Sequence, residues 1–410
     1  MAVNVDVPGA PDGRGALDEG SLTQAEALVA AEAFDAALQH TRAMLERLRG
    51  REAEPAVAEL ARRIYQLRGD CLTRLDRFPE LLADCAARMD LLSVDQASAQ
   101  RAELMIKMSF AHANLAMPEQ ALRSAHVALQ DALNLGQRLL SAQALERLAM
   151  AYLSMGDGVA AERFMFEALE HSDASSPPQE RLRRVSNTVH LLCTLHDAYL
   201  DMGLAYLGES VLARAQGLPA KAEALLPTVP GRYLACMWQA NQARWLRRSG
   251  QLEPARRCFE ACLSQAQTEG WHAVSRPVQL ELALMAEQEG DLNTALGLLR
   301  ALFEPESLRV RDVVALPAYR VLERICRILG HGAEAEQAAE RRRARQAARH
   351  QAVLEAAAHN HHHGQLILST LAAAERQRVD AEIQRLRSQH AAGAVLRMPD
   401  QEDWFRLDLP

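Results

Sequence analysis

Apolar residues recur three or four positions apart through most of the chain, a spacing that predicts amphipathic helices rather than strands. One stretch reads Leu145-x-x-Leu148-Ala149-x-x-Tyr152-x-x-x-Gly156-Asp157-x-x-x-Ala161-x-x-x-Met165-x-x-Ala168: a helical stripe, a glycine, and a second stripe. The scheme returns with Leu282-Ala283, Gly290-Asp291, Ala295, Leu299 and Leu302, and again with Ala243, Leu246, Gly250, Ala255, Phe259 and Cys262. A further copy carries Leu192, Leu195, Tyr199, Gly203, Gly208, Leu212 and Ala215. Gly156, Gly203, Gly250, Gly290 and Gly330 thus follow one another at intervals of 47, 47, 40 and 40, and Ala or Gly stands five residues after each. Upstream copies lack the glycine: Ala116 with Ala121, Ala125 and Ala128, then Tyr65 with Gly69 and Phe78, and Phe34 with Ala37.

Each part of this pattern has a physical cause. The stripe faces a partner helix, the glycine tolerates positive φ in the turn, and the small residue lets two helices cross closely. A single hairpin of this kind cannot bury its apolar face, so neighbours must stack. The units resemble the tetratricopeptide repeat. That resemblance implies an all-α, right-handed solenoid of about eight hairpins whose first helices line a concave groove. The usual repeat is about 34 residues, and the longer period here is similar to the variety in sensor domains of maltose-regulon-type bacterial activators and in helical regions preceding diguanylate cyclases. The two longer intervals coincide with Ser175-Ser176-Pro177-Pro178 and with Gly217 to Gly231, both expected as inserted loops.

The expected organisation is a disordered 1–17, a solenoid over 18–345, a basic, His-rich helical tail over 346–392, and an extension over 393–410. Residues 340–390 hold nine Arg against five acidic residues, so the net charge of −7 divides into a basic tail and a more acidic remainder. Val379, Ile383 and Leu386 give the spacing of a short coiled-coil seam, which makes the tail a candidate for homodimerisation. Nothing in the first twenty residues reads as a signal peptide, and no apolar run reaches about 18 residues. Seven cysteines without a C-x-x-C fit reduced thiols, and the expected location is the cytoplasm. A mildly acidic chain is a poor nucleic-acid binder.

Few motifs carry chemistry. Gly156-Asp157-Gly158-x-x-Ala161 matches a dinucleotide pattern but follows helical spacing and recurs as a repeat turn, so it fails its context. His359 and His363, within His359-Asn360-His361-His362-His363, would share a helical face, but no Cys or carboxylate is placed to complete a metal shell. We therefore expect no cofactor and no metal. Trp238, Trp245 and Trp271 fit core packing better than partner anchoring.

The groove is the better candidate. The register places His190, Cys193, Asp197 and Asp201 on one first helix and Asn241, Arg244 and Arg248 on the next, with an Asp197–Arg244 pair expected across the groove. Of the carboxylate-clamp positions known in tetratricopeptide domains only Asn241 matches, because Cys193, Asp197, Pro277 and Glu281 occupy others. The expected role is a non-catalytic interaction scaffold in bacterial regulation that holds a protein or peptide. The alternatives are an effector-sensing subunit signalling through the tail, and an enzyme with an unrecognised groove site.

Overall fold

The computed structural model describes residues 19–51, 53–92, 98–172, 176–304 and 310–359, with isolated positions between 381 and 388. Among them there is no strand. The chain is an all-α solenoid of helix hairpins: α1 (Glu19–Ala30) with α2 (Phe34–Leu48), α3 (Pro55–Arg74) with α4 (Phe78–Asp90), α5 (Ala99–Asn114) with α6 (Pro118–Asn134), and α7 (Arg138–Met155) with α8 (Gly158–Glu170). A fifth pair, α9 (Pro178–Asp201) with α10 (Ala205–Arg214), is followed by the short α11 (Leu218–Leu225). Three more pairs complete the array: α12 (Arg232–Arg248) with α13 (Leu252–Thr268), α14 (His272–Gln288) with α15 (Leu292–Leu302), and α16 (Asp312–Ile328) with α17 (Gly332–His359).

The turns work as the spacing predicted. Gly156 ends α7 at φ +87°, a conformation that an L side chain enters only at a cost. Asp157 then caps α8 by accepting from the Ala160 amide at 2.9 Å. Five residues past Gly203, a Cβ on Gly208 would sit 3.3 Å from the His196 carbonyl oxygen, so the small residue marks a close crossing of α9 and α10. The insertion between Gly217 and Gly231 is not a loop. Pro219 starts α11, and Leu218, Ala222 and Leu225 make a buried stripe that packs against the core of the fourth and fifth hairpins.

The first three hairpins turn without glycine. Glu32, Asp76 and Ala116 occupy the corresponding positions with φ of 59°, 58° and 60°. Two of these strained residues reach across the superhelix. Glu32 Oε1 accepts from the Tyr233 amide at the start of α12 at 2.9 Å, 201 residues away, and Asp76 pairs with Arg311 at 3.3 Å, just before α16. Around Glu32, Phe34 meets Tyr233 edge-on at 6.0 Å, Tyr233 meets Trp271 at 5.2 Å, and the Arg74 guanidinium lies over Phe34 and Tyr233. One apolar cluster joins Phe34, Leu72 and Phe78 to Cys236, Phe259 and Val278. The superhelix therefore closes on itself, the first two hairpins lying against the sixth to eighth.

At the other end, α17 is one helix running through residue 345. Its early alanines, Ala335 and Ala338, are buried with α16, while Ala356 enters the core of the third to fifth hairpins. Arg349 donates to the Ser154 carbonyl at 2.9 Å, 195 residues back. The segments 1–17 and 393–410 and the seam of Val379, Ile383 and Leu386 lie outside the described residues, and so do His361, His362 and His363. No helix among the described residues is long and apolar enough to cross a membrane.

Candidate functional site

The predicted groove residues lie on the seam where α9, α12 and α14 meet, and most of them converge there. Asn241 is buried and its amide donates to Ser186 Oγ at 2.9 Å, bridging α9 to α12. His190 Nδ1 accepts from Arg244 Nη1 at 2.5 Å. Burial, reinforced by the Arg244, Arg311 and Arg248 charges, holds the His190 imidazole well below its usual range, which leaves that nitrogen free to accept. Asp197 pairs with Arg248 through Nε and Nη2, with 2.8 Å for the Nε contact.

The expected Asp197–Arg244 pair does not form. Arg248, one turn further along α12, reaches Asp197 instead, while Arg244 turns to Glu281 on α14 at 3.1 Å. Cys193 is 1% exposed and packs in the core with Leu191 and Leu192; burial pushes its thiol up to about 11. It behaves as a small hydrophobe. Asp201 stands apart, exposed, and pairs with Arg320 of α16 at 3.3 Å. That contact skips α12 and α14, and only the inside of a curve brings helices three hairpins apart together. Trp238 and Trp271 are fully buried, and Trp245 is half-buried against the core.

Sequence reasoning missed the centre of this arrangement. Glu281 is buried and receives Arg247 at 2.8 Å and Arg244 and Arg248 at 3.1 Å. Burial disfavours its charge, but the Arg248, Arg247 and Arg244 guanidiniums overcome this and hold the carboxyl at about 2. A second such centre lies on α7. There Glu146, fully buried, bonds to Arg147, accepts from Asn187 at 2.7 Å, and lies within 4.0 Å of Arg183 and Arg184; its carboxyl is likewise held at about 2. The available signal was the doublets Arg183-Arg184 and Arg247-Arg248 inside helices predicted to pack.

Each centre sets three arginines around one buried carboxylate, and each has one outlying acidic partner: Asp197 for the first, Glu180 for the second. Both seams are therefore cationic by one charge. Arg184 is fully buried, and its three guanidinium nitrogens make no hydrogen bond. The excess positive charge is carried inside the seams, and Arg183, about a third exposed, is the guanidinium of the two centres that most nearly reaches the surface.

No family model matches the chain, and comparison with curated proteins finds no match. Solved structures do match in fold. A Rap protein complexed with competence and sporulation factor aligns with a TM-score of 0.52 at 14% identity, covering 82% of this chain and 98% of that one. The apo form of RapI aligns at 10% identity with a TM-score of 0.39, covering 93% and 100%, and the TPR domain of P58(IPK) at 13% with 0.21, covering 90% and 98%. The first of these likenesses establishes a tetratricopeptide-like helical-repeat fold.

Proposed function

We propose that the chain is a non-catalytic, cytoplasmic scaffold in bacterial regulation that holds an acidic peptide or protein segment on the inner face of its solenoid. The observation that carries this reading is the pair of buried arginine centres around Glu146 and Glu281. Both sit on first helices and both keep a net positive charge. Burying charge is costly, and three arginines against two carboxylates leave each centre with one more cation than structural pairing requires. An incoming carboxylate would reach first Arg183, the partly exposed guanidinium of the Glu146 centre, with the buried arginines adding to the field behind it. The related fold seen in complex with competence and sporulation factor supports a partner-holding role.

The effector-sensing reading has one supporting feature. Because α17 starts on the eighth hairpin and docks on the third to fifth, a ligand that alters the superhelical curve would displace this helix. The catalytic reading has less support, since the lone pair on His190 Nδ1 is occupied by Arg244.

The test is affinity capture with the full chain from its native host, with Arg320→Glu as the control. Arg320 is exposed beside Asp201, so its reversal exchanges an exposed ion pair for two exposed carboxylates without opening the core. A stoichiometric polypeptide lost on Arg320→Glu is the expected result. Recovery of a tightly bound metabolite with no polypeptide would favour the sensor, and turnover abolished by His190→Ala would favour the enzyme.

A further inference from the structure

The turn of the eighth hairpin gathers three unlike donor atoms. Cys326 Sγ, a ring nitrogen of His331 and a Glu334 carboxylate oxygen all lie within 4.8 Å of one another. The backbone fixes them: the His331 amide donates to the Cys326 carbonyl at 2.8 Å, which folds the residue after Gly330 back over the end of α16. His331 Nδ1 is 3.8 Å from Glu334 Oε2. Ligands of one tetrahedral zinc, at bond lengths of about 2.0–2.3 Å, stand roughly 3.3–3.7 Å apart. Small rotamer adjustments would bring these atoms onto a common centre.

The repeat register isolates this turn. Four residues before the turn glycine, where hairpin eight has Cys326, the hairpins turned by Gly156, Gly203, Gly250 and Gly290 have Tyr152, Tyr199, Leu246 and Ala286. In those four hairpins no residue at that packing position offers a thiol. Among the described residues this is also the one grouping of three ligating side chains at such spacing.

We propose that this turn is a site for a zinc-class divalent transition metal. Cys326 thiolate, a His331 ring nitrogen and one Glu334 oxygen are its protein ligands, and water fills the fourth position on the exposed His331 side. Thiolate with imidazole selects zinc over magnesium or calcium, which prefer all-oxygen shells. Arg300 already donates to both Glu334 oxygens, at 3.0 and 2.6 Å. Half-exposed, it keeps one oxygen and orients the carboxylate while the metal takes the other. Because thiolate rather than thiol is the ligand, metal binding displaces the Cys326 proton and tightens as pH rises. The metal would join the end of α16 to the start of α17 and fix the angle at which α17 leaves for its docking site on the earlier hairpins.

The experiment uses the full chain with His359, His361, His362 and His363 changed to alanine, which removes the competing histidine segment, stripped of metal with a chelator. Cobalt(II) is titrated in and the thiolate-to-metal charge-transfer absorption is read, followed by displacement with zinc(II). The expected result is one equivalent bound with the charge-transfer band, loss of the band in Cys326→Ser, and at least about tenfold weaker binding in His331→Ala. Should Cys326→Ser fail to fold, the exposed His331→Ala variant decides. A parent chain without the band, a band that persists in Cys326→Ser, or unchanged affinity in His331→Ala would each overturn the proposal.

Discussion

The five hairpins turned by glycine and the three turned by Glu32, Asp76 and Ala116 solve the same geometric problem differently. Gly156, Gly203, Gly250, Gly290 and Gly330 take positive φ without a Cβ. The other three hold a side chain in that region, at a cost of about 1–2 kcal/mol each. In two of them the side chain has a distant partner: Glu32 caps α12, and Asp76 meets Arg311. The glycine-turned hairpins are joined to their neighbours by the apolar stripe and by the arginine centres. At Glu32 and Asp76 the turn residue itself also reaches a partner two hundred or more residues away, whereas the glycine-turned fourth hairpin makes its distant contact through Ser154, outside the turn glycine. At these two turns the strained residue is also the one with which the solenoid touches itself.

The largest effect expected on this contrast comes from the glycine-turned side. Glu281→Ala leaves Arg244, Arg247 and Arg248 buried without their shared carboxylate and should destabilise by about 3–5 kcal/mol, read from the denaturant midpoint. Acid acts on the same centres. The Glu281 and Glu146 carboxyls are held at about 2, so their stabilisation is complete above the ordinary carboxylate value of 4.5 and is lost as pH falls towards 2. Asp76 has the opposite sign. Burial raises it despite Arg311, so its ionised form costs stability that acid restores. Hydrogen exchange followed between pH 4.5 and 3 should show α14 losing protection before the Asp76 turn does.

Next in size is packing. Ala161 and Ala295 are fully buried at helix crossings, and Ala161→Leu and Ala295→Leu should each cost about 1–3 kcal/mol. Unchanged melting of both variants would mean that the crossings are looser than the structure shows. Smaller still are the strained turns themselves. Glu32→Ala keeps the strain and loses the cap on α12, costing about 1 kcal/mol. Ala116→Gly removes strain where no side-chain bond is at stake and should stabilise by about 0.5 kcal/mol, less than the strain because glycine loosens the unfolded chain. Equal signs for these two substitutions would erase the distinction drawn between the two sets of turns.

The same contrast explains what was legible in the sequence. The glycine period exposed the later hairpins because a local backbone requirement selects a residue type. Glu32 and Asp76 answer to partners far along the chain, so nothing nearby announces them. The Asp197–Arg244 expectation failed for a related reason. Register places residues on a face, but the choice between Arg244 and Arg248 is made by Glu281, a residue of the next hairpin. The insertion at Gly217 to Gly231 was read from its prolines as a loop, yet proline in the first turn of α11 starts a helix as readily as it breaks one. Cys193 shows the limit of face arguments: i, i+3, i+7 spacing aligned it with His190 and Asp197, and packing took it into the core.

Closure of the superhelix through its N-terminal turns is tested most directly at the Tyr233 amide. This group lies in the first turn of α12, where no intrahelical acceptor exists, and Glu32 supplies its partner. Hydrogen exchange resolved at Tyr233 should be slow in the parent chain and at least tenfold faster in Glu32→Ala, with α13 and α14 unchanged. The same rate in both proteins would contradict closure.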